Sequence, residues 1–406
     1  MCGICGYISF NGQLSGEDTQ IIEKMNDKLQ HRGPDGKQTL VFDNVALGFT
    51  RLSIIGLGNG MQPIYNENRT LVLICNGEIF NYKELKKDLL ENGHVFRTDS
   101  DVEVIIHLYE ERGTSFLNLL NGQFAFALYD IEQQKMFCAR DQMGILPFYY
   151  TYQQDTFIFG SEIKSIIEHP KARRELDLTG LDQVFTFAGL ASPRTMFKSI
   201  SSLENGHYLE VDKAGHISKQ EYWDLIYPEG EVVLNGKSEG QYMEELGALF
   251  EESVKLRLNA DVPVGMYISG GLDSSMITMK TNQLFPQNRR EGFSIDFAES
   301  KISETKYQQI VADASNTELN RKTFYYSDIA ERMREVIYYS ECPIKESYNT
   351  ASHSLSELAR SKGIKVILTG EGADELFAGY ISYRFDLMRS KNGHSPQVSP
   401  EEALLM

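Results

Sequence analysis

Residues 262–275 read VPVGMYISGGLDSS: an apolar strand, a Ser-Gly-Gly turn, and then Leu-Asp-Ser-Ser opening a helix. Glycine lets backbone approach a ligand closely, and the first turn of a helix carries N–H groups without intrahelical partners. An anion such as pyrophosphate can therefore be held there. The lysine that a Walker A loop requires is missing, so this is a phosphate loop of another kind. Downstream, helical patterns alternate with the strands EGFSIDF (291–297) and IKVILT (364–369), which predicts a parallel sheet with helices on its faces. Next comes TGEGADELFAGY (369–380), where glycines interleave with Glu371, Asp374 and Glu375 at the carboxyl end of a strand, the place where open α/β sheets bind ligands. The bland alternative for those carboxylates is a solvated acidic helix cap.

Upstream the pattern changes. Between about 190 and 236 lie PRTMFKSI, LENGHYLEV and the start of YPEGEVVLNGKSEG, rich in turn residues and short strands, and the boundary is placed there. The expected organisation is a first domain over 2–190, a connecting segment over 191–236 and a second domain over 237–406. The first half reads as strands at 4–10, 39–50, 70–76, 123–130, 135–139 and 147–159, with helices at 17–30, 82–92 and 101–112. This mixture is α+β rather than doubly wound.

At about 150 residues per domain, 406 residues make two or three compact units. The 41% hydrophobic and 24% charged content is that of an ordinary globular protein. A net charge of −17 disfavours nucleic acid or an anionic membrane as partner. No apolar run approaches the roughly 18 residues of a membrane span, and MCGICGYISF lacks the marks of a signal peptide. A cytoplasmic location is expected.

Five cysteines, at 2, 5, 75, 138 and 342, make a disulfide framework improbable. Cys2 and Cys5 form a C-x-x-C pair, but a redox motif should open a helix after a strand, and a zinc half-site needs a second Cys or His pair. Neither follows. Cys2 instead stands directly after Met1, and its small side chain permits removal of the Met. The freed α-amine, with a pKa of about 7.7–8.0, could then act as general base for its own thiol.

Cys2 heads a series: MCGICGY (1–7), HRGPDG (31–36), TRLSI (50–54), NGEIFNY (76–82) and TDSDVEVI (98–105). In these strings the chain resembles the class II glutamine amidotransferases with an N-terminal nucleophile, over residues 1 to about 165. The resemblance implies an αββα sandwich with Cys2 as nucleophile. Glutamine would be bound by Arg51, through a bidentate pair with its α-carboxylate, by Asp101, accepting from its α-ammonium, and by Leu52 and Glu78. The side-chain amide of Asn76 and the backbone N–H of Gly77 would form the oxyanion hole. Taken singly, each has a plainer reading: Asn76-Gly77 as a type I′ turn, Arg51 as a surface charge, Asp101 as a helix cap. His31 is expected to be structural.

SGGLDSS looks like the pyrophosphate loop of the ATP pyrophosphatases, and GEGADELFAGY like the signature loop of asparagine synthetases. The resemblance implies ATP as co-substrate with Mg2+. Ser269, Gly270, Gly271, Ser274 and Ser275 would cradle the phosphates, and Asp273 and Asp374 would ligate the metal. Glu371 would support acyl-adenylate formation, Thr369 and Gly370 would touch the nucleotide, and the backbone of Ile295 would contact adenine. Ammonia freed at Cys2 would pass through an internal tunnel to aspartyl-AMP, giving asparagine.

The partners expected are thus glutamine, aspartate and ATP, with no nucleic acid and no membrane, and a homodimer is left open. Family members continue well beyond the end of this chain at Met406, so the second domain is expected to be C-terminally short. The segment CPIKESYNTASHS (342–354) departs from the expected aspartate-holding sequence, leaving another acceptor carboxylate as an alternative. β-Lactam synthetases lack the N-terminal cysteine. A sugar-phosphate or phosphoribosyl amidotransferase would lack SGGLDSS, and a non-catalytic sensor would carry degraded forms of both halves.

Overall fold

The computed structural model describes residues 1–187, 189–227, 236–299 and 301–391; positions 228–235 of the expected connecting segment and the tail from 392 lie outside them. The chain divides into two compact units, one of Met1–Val262 with Tyr326–Ser354, the other of Pro263–Tyr325 with Leu355 onward.

In the first unit the strands are β1 (Gly3–Ser9), β2 (Gly36–Phe42), β3 (Val45–Arg51), β4 (Ile64–Tyr65), β5 (Leu71–Ile79) and β6 (Gly122–Asp130). They continue with β7 (Lys135–Arg140), β8 (Tyr149–Gln153), β9 (Thr156–Gly160), β10 (Ser201–Ser202), β11 (His207–Val211) and β12 (Ile217–Glu221). They form two six-stranded antiparallel sheets, ordered β10-β8-β9-β1-β3-β2 and β12-β11-β7-β6-β5-β4. The stretch read as one strand over 39–50 is a hairpin turning at Asp43, and that over 147–159 is another turning at Gln154-Asp155. Asp43, Gln154 and Asp155 all take positive φ, the twist a tight hairpin needs, but without the glycine that usually signals it. Asn76-Gly77 is no turn: both lie inside β5, opposite Ala125 and Phe124 of β6.

Period-2 alternation assigns the faces. On β1, Ile4 and Ile8 point with Val45, Leu47 and Phe49 of β3 into the space between the sheets, where they meet Val72, Ile74, Ala125 and Ala127. Stacked rings of Phe148 and Phe159, 5.4 Å apart, share this core. Side chains of this size contribute about 1.5–3 kcal/mol each when fully buried.

The opposite faces take helices. Cys5, Tyr7 and Ala46 pack on α1 (Gly16–Asp27) and on α4 (Ile163–Ile166), while Leu73, Cys75, Phe124 and Phe126 pack against α2 (Tyr82–Glu91), α3 (Val104–Arg112) and the 3-10 turns that follow. Helix, sheet, sheet, helix is the four-layer order. Helix α1 starts at a capping box in which Glu17 N–H donates to Ser15 Oγ and Ser15 N–H to Asp18 Oδ2. The unit also holds α5 (Leu178–Thr186), α6 (Glu239–Arg257), begun by a Ser238/Gln241 box, and α9 (Tyr326–Ser340).

The second unit is built on a parallel sheet of β13 (Val264–Tyr267), β14 (Glu291–Phe297), β15 (Glu318–Phe324) and β16 (Val366–Leu368), in the order β15-β14-β13-β16. Helix α7 (Leu272–Leu284) connects β13 to β14, and α8 (Thr305–Ala314) connects β14 to β15.

Candidate active site

The alternation that buries Ile4, Phe49 and Ile74 between the sheets also aims Cys2, Arg51, Asn76 and Glu78 into the same space, beyond the end of the apolar core. There they line one cleft with Leu52, Gly77 and Asp101, about 490 Å³ of empty space with its open mouth included. Every residue expected to handle glutamine therefore borders a single cavity. The same alternation turns Cys5 to the helix side, fully buried, so the two cysteines of C-x-x-C face opposite ways. All five cysteines are free.

The Leu52 N–H donates to Cys2 Sγ at 3.4 Å, and the Cys2 carbonyl accepts from Arg32 Nε at 2.9 Å. Burial raises the Cys2 thiol pKa, while the amino terminus, the Leu52 N–H and Arg51 pull it down. Burial also lowers the terminal amine, here that of Met1, to about 6. An amine so lowered is largely unprotonated at neutral pH and fit to take a proton.

Arg51 is no surface charge. Only 7% exposed, it donates through Nη2 to the Gly56 carbonyl at 2.6 Å and the Ile55 carbonyl at 3.3 Å, and through Nη1 to the Leu57 carbonyl at 3.4 Å. Among the described residues no carboxylate pairs with it, so a buried cation faces the cleft. A Cβ on Gly60 would lie 2.5 Å from Arg51 Nη2 and push the guanidinium from this position. Asp101 accepts the Ile79 N–H at 2.7 Å, and burial raises its pKa to about 7. Burial also raises Glu78.

Asn76 is 1% exposed and its Nδ2 finds no acceptor among the described residues. A buried donor without a partner carries a desolvation cost of about 1–3 kcal/mol, which is recovered when a ligand supplies the acceptor. The adjoining Gly77 tolerates no side chain, because a Cβ would sit 2.7 Å from the Gln123 carbonyl.

Sequence reading missed the support around this cleft. Gln62 and Gln123 line it, and Gln62 brackets the Cys75 backbone, donating to its carbonyl at 3.0 Å and accepting its N–H at 2.6 Å. Asp261 accepts the Gly56 N–H at 2.9 Å and thereby holds the loop that carries the carbonyls around Arg51. Behind Cys2, Arg32 Nη1, His31 Nε2 and Lys164 Nζ converge on Glu162 at 2.9, 2.9 and 2.6 Å. Burial alone would raise Glu162, but the hydrogen bond with His31 and the charges of Arg32 and Lys164 lower it to about 2. Lys164 also meets Glu341 at 3.0 Å, and Glu341 accepts the N–H groups of Ile163 and Lys164. His31, expected to be structural, meets Glu162 in this network. Only HRGPDG carried any signal for this network.

In the second unit the candidate residues gather at the carboxyl ends of the parallel strands. The loop after β13 is knit by hydroxyls: Ser269 and Ser274 Oγ lie 2.9 Å apart, and Ser275 Oγ donates to the Gly271 carbonyl at 2.5 Å. Gly271 caps α7 with no side-chain partner for the free N–H groups. Gly270 takes φ +88°, and a Cβ on it would lie 2.8 Å from Tyr307 Cβ. Gly370, after β16, abuts the loop: a Cβ there would meet Asp273 Cβ and the Ser274 nitrogen at 3.0 Å. Thr369, whose Oγ1 accepts the Glu371 N–H at 3.4 Å, leads into the Asp374 turn. The Ile295 carbonyl, on β14, accepts Gln308 Nε2 at 2.9 Å. An uncapped helix start ringed by glycines suits phosphate, and Asp273 with Asp374 supplies the oxygen donors that Mg2+ prefers.

Residues 1–223 match the glutamine amidotransferase domain family, and residues 245–405 match asparagine synthase. A putative glutamine-hydrolyzing asparagine synthetase of Methanocaldococcus jannaschii is 33% identical over 96% of this chain and 78% of its own length. Glutamine-hydrolyzing asparagine synthetase 3 of Bacillus subtilis is 33% identical over 94% of this chain and 63% of its own. The amidase chyE of Penicillium rubens is 32% identical over the whole chain and 64% of its own length. The chain thus spans a little under two thirds of most of these relatives. A cleft holding Cys2 between two antiparallel sheets, followed by a glycine-ringed loop on a parallel sheet, agrees with both domain matches: the chain belongs to the asparagine synthetase family.

Proposed function

We propose that this chain carries out glutamine-dependent amidation of aspartate at the expense of ATP. The observation that carries the reading is the single cleft in which Cys2 faces an orphaned amide donor, an uncompensated guanidinium and a buried carboxylate. After removal of Met1, the Cys2 α-amine takes the thiol proton and Sγ attacks the glutamine side-chain carbonyl. The Asn76 amide and Gly77 N–H stabilise the oxyanion, ammonia leaves, and water hydrolyses the thioester to glutamate. Arg51 holds the α-carboxylate of glutamine, Asp101 its α-ammonium, and Leu52 and Glu78 complete the cleft. Arg32 fixes the Cys2 carbonyl, and through it the nucleophile's orientation.

In the second unit, Ser269, Gly270, Gly271, Ser274 and Ser275 hold the phosphates of ATP, Thr369, Gly370 and Ile295 contact the nucleotide, and Glu371 assists adenylate formation. Mg2+ held by Asp273 and Asp374 would neutralise the pyrophosphate leaving group. Ammonia attacks the aspartyl-AMP ester, giving asparagine and AMP. Relatives named amidases, as similar as those named asparagine synthetases, favour a second reading in which another carboxylate is the acceptor.

The test is release of glutamate, pyrophosphate and asparagine by the purified chain with glutamine and Mg-ATP, with and without aspartate, beside Cys2→Ala. Aspartate-dependent pyrophosphate with asparagine supports the reading. Pyrophosphate released with a different carboxylate, and not with aspartate, transfers it to the second. Cys2-dependent glutamate alone would withdraw the synthetase half.

A further inference from the structure

Away from the cleft, on the outer helical layer of the first unit, Glu67 in the β4–β5 turn, His94 after α2, and His107 and Glu110 on α3 converge. Their ligand-capable atoms all lie within 4.8 Å of one another. The geometry points to a structural transition-metal site of zinc type, with His94 Nδ1, His107 Nδ1 and one oxygen each from Glu67 and Glu110 as ligands.

The distances select this over plain ion pairing. A tetrahedral zinc centre with bonds of about 2.0–2.1 Å separates its ligands by about 3.3 Å. Here His94 Nδ1 is 3.3 Å from Glu67 Oε1 and 3.8 Å from Glu110 Oε2, while His107 Nδ1 is 3.5 Å from Glu67 Oε2 and 3.4 Å from Glu110 Oε2. Each of these exceeds the roughly 2.9–3.0 Å of a good N–H···O bond. Each Nδ1 faces both carboxylates, His94 through Glu67 Oε1 and His107 through Glu67 Oε2, and of these four contacts only the long one from His107 to Glu110 counts as a hydrogen bond. His107 is fully buried and His94 partly so, with ring centroids 4.8 Å apart and Phe96 against His107 at 4.6 Å, so ring carbon covers one side of the cluster.

The outward nitrogens match. His107 Nε2, buried and without a hydrogen bond among the described residues, is directed at Glu103 Oε1 at 3.7 Å, and His94 Nε2 at Glu111 Oε1 at 3.4 Å. With a metal on the inner nitrogens, a carboxylate facing each outer nitrogen is placed to accept its proton. The ligating carboxylates are themselves held: Glu67 Oε1 accepts the Val95 N–H at 2.7 Å, and Glu110 Oε1 accepts Asn66 Nδ2 at 2.8 Å. Two neutral imidazoles and two carboxylates around a dication make a neutral centre, which suits a site with one fully buried ligand, two partly buried and one exposed. Four protein ligands leave no open position, so the ion ties a turn, a loop and a helix together and takes no part in turnover.

The experiment uses the full chain, stripped of metal and titrated with Zn2+ against a chromogenic chelator, with Co2+ as a spectroscopic probe. The expected result is one equivalent bound, a tetrahedral Co2+ spectrum, and affinity lowered at least tenfold in His94→Gln and in Glu110→Gln. Circular dichroism and Cys2-dependent glutaminase activity check that both variants fold. Glu111→Gln, at a half-exposed outer position, is expected to lose less affinity than either. Zinc should also raise the melting temperature of the wild type but not of His94→Gln. Absence of stoichiometric binding, affinity unchanged in both ligand variants, or an equal melting shift with and without His94 would overturn the assignment.

Discussion

Replacing Asn76 with Ala separates catalysis from stability in a way that few substitutions at this cleft do. The Asn76 amide nitrogen is buried and unpartnered among the described residues, so its removal breaks no hydrogen bond of the folded chain and relieves a desolvated donor. Stability should therefore stay level or rise by up to about 1 kcal/mol. If that donor faces the oxyanion, the transition state loses about 3 kcal/mol, or 10²–10³-fold in kcat, with the KM for glutamine nearly unchanged because the bond is made only as charge develops. Steady-state glutamate release and a melting curve on the same preparation read both quantities. A kcat within fivefold of wild type, or a loss confined to KM, would refute the oxyanion role. A melting temperature that falls along with kcat would instead show that Asn76 serves the fold.

Arg51→Lys keeps the charge but loses the planar fork that three carbonyls orient, so the KM for glutamine should rise at least tenfold with kcat little altered; an unchanged KM counts against carboxylate binding. Glu162 lies at about 2 in the fold against an ordinary 4.5, a gap equivalent to about 3 kcal/mol of stability, fully present above 4.5 and lost as pH falls through 2. Melting curves of Glu162→Gln should therefore fall below wild type at pH 7 and converge with it toward pH 2, whereas parallel pH profiles would remove this network from acid stability. Gly270→Ala, at φ +88° and against Tyr307, should weaken Mg-ATP binding at least tenfold by calorimetry and leave glutaminase activity intact; unaltered binding would mean that the loop does not hold phosphate.

What the linear sequence determined was the chemistry that sits in contiguous strings. The glycine loop proposed to hold phosphate is local, since strand, glycines and helix start follow one another at 262–275, and so is the run Asn76-Gly77-Glu78. Alternation also predicted which strand residues share a face, because side-chain direction repeats every two residues whatever lies beyond the strand. It could not say that 39–50 and 147–159 each fold back on themselves, since their turns use Asp and Gln at positive φ in place of glycine. Nor could it choose between a turn and a strand for Asn76-Gly77; pairing with β6 made that choice.

Tertiary structure alone decided the neighbours. Arg51 became a buried cation facing the cleft only because the chain returns its carbonyls at 55–57, and Glu162 reached His31 across 131 positions and Lys164 reached Glu341 across 177. The two-histidine, two-glutamate cluster likewise exists only where a turn, a loop and a helix of the outer layer meet. Local sequence fixes side-chain type and direction, whereas the distance between remote segments follows from how sheets and helices pack, a sum over the whole core that no short window of residues contains.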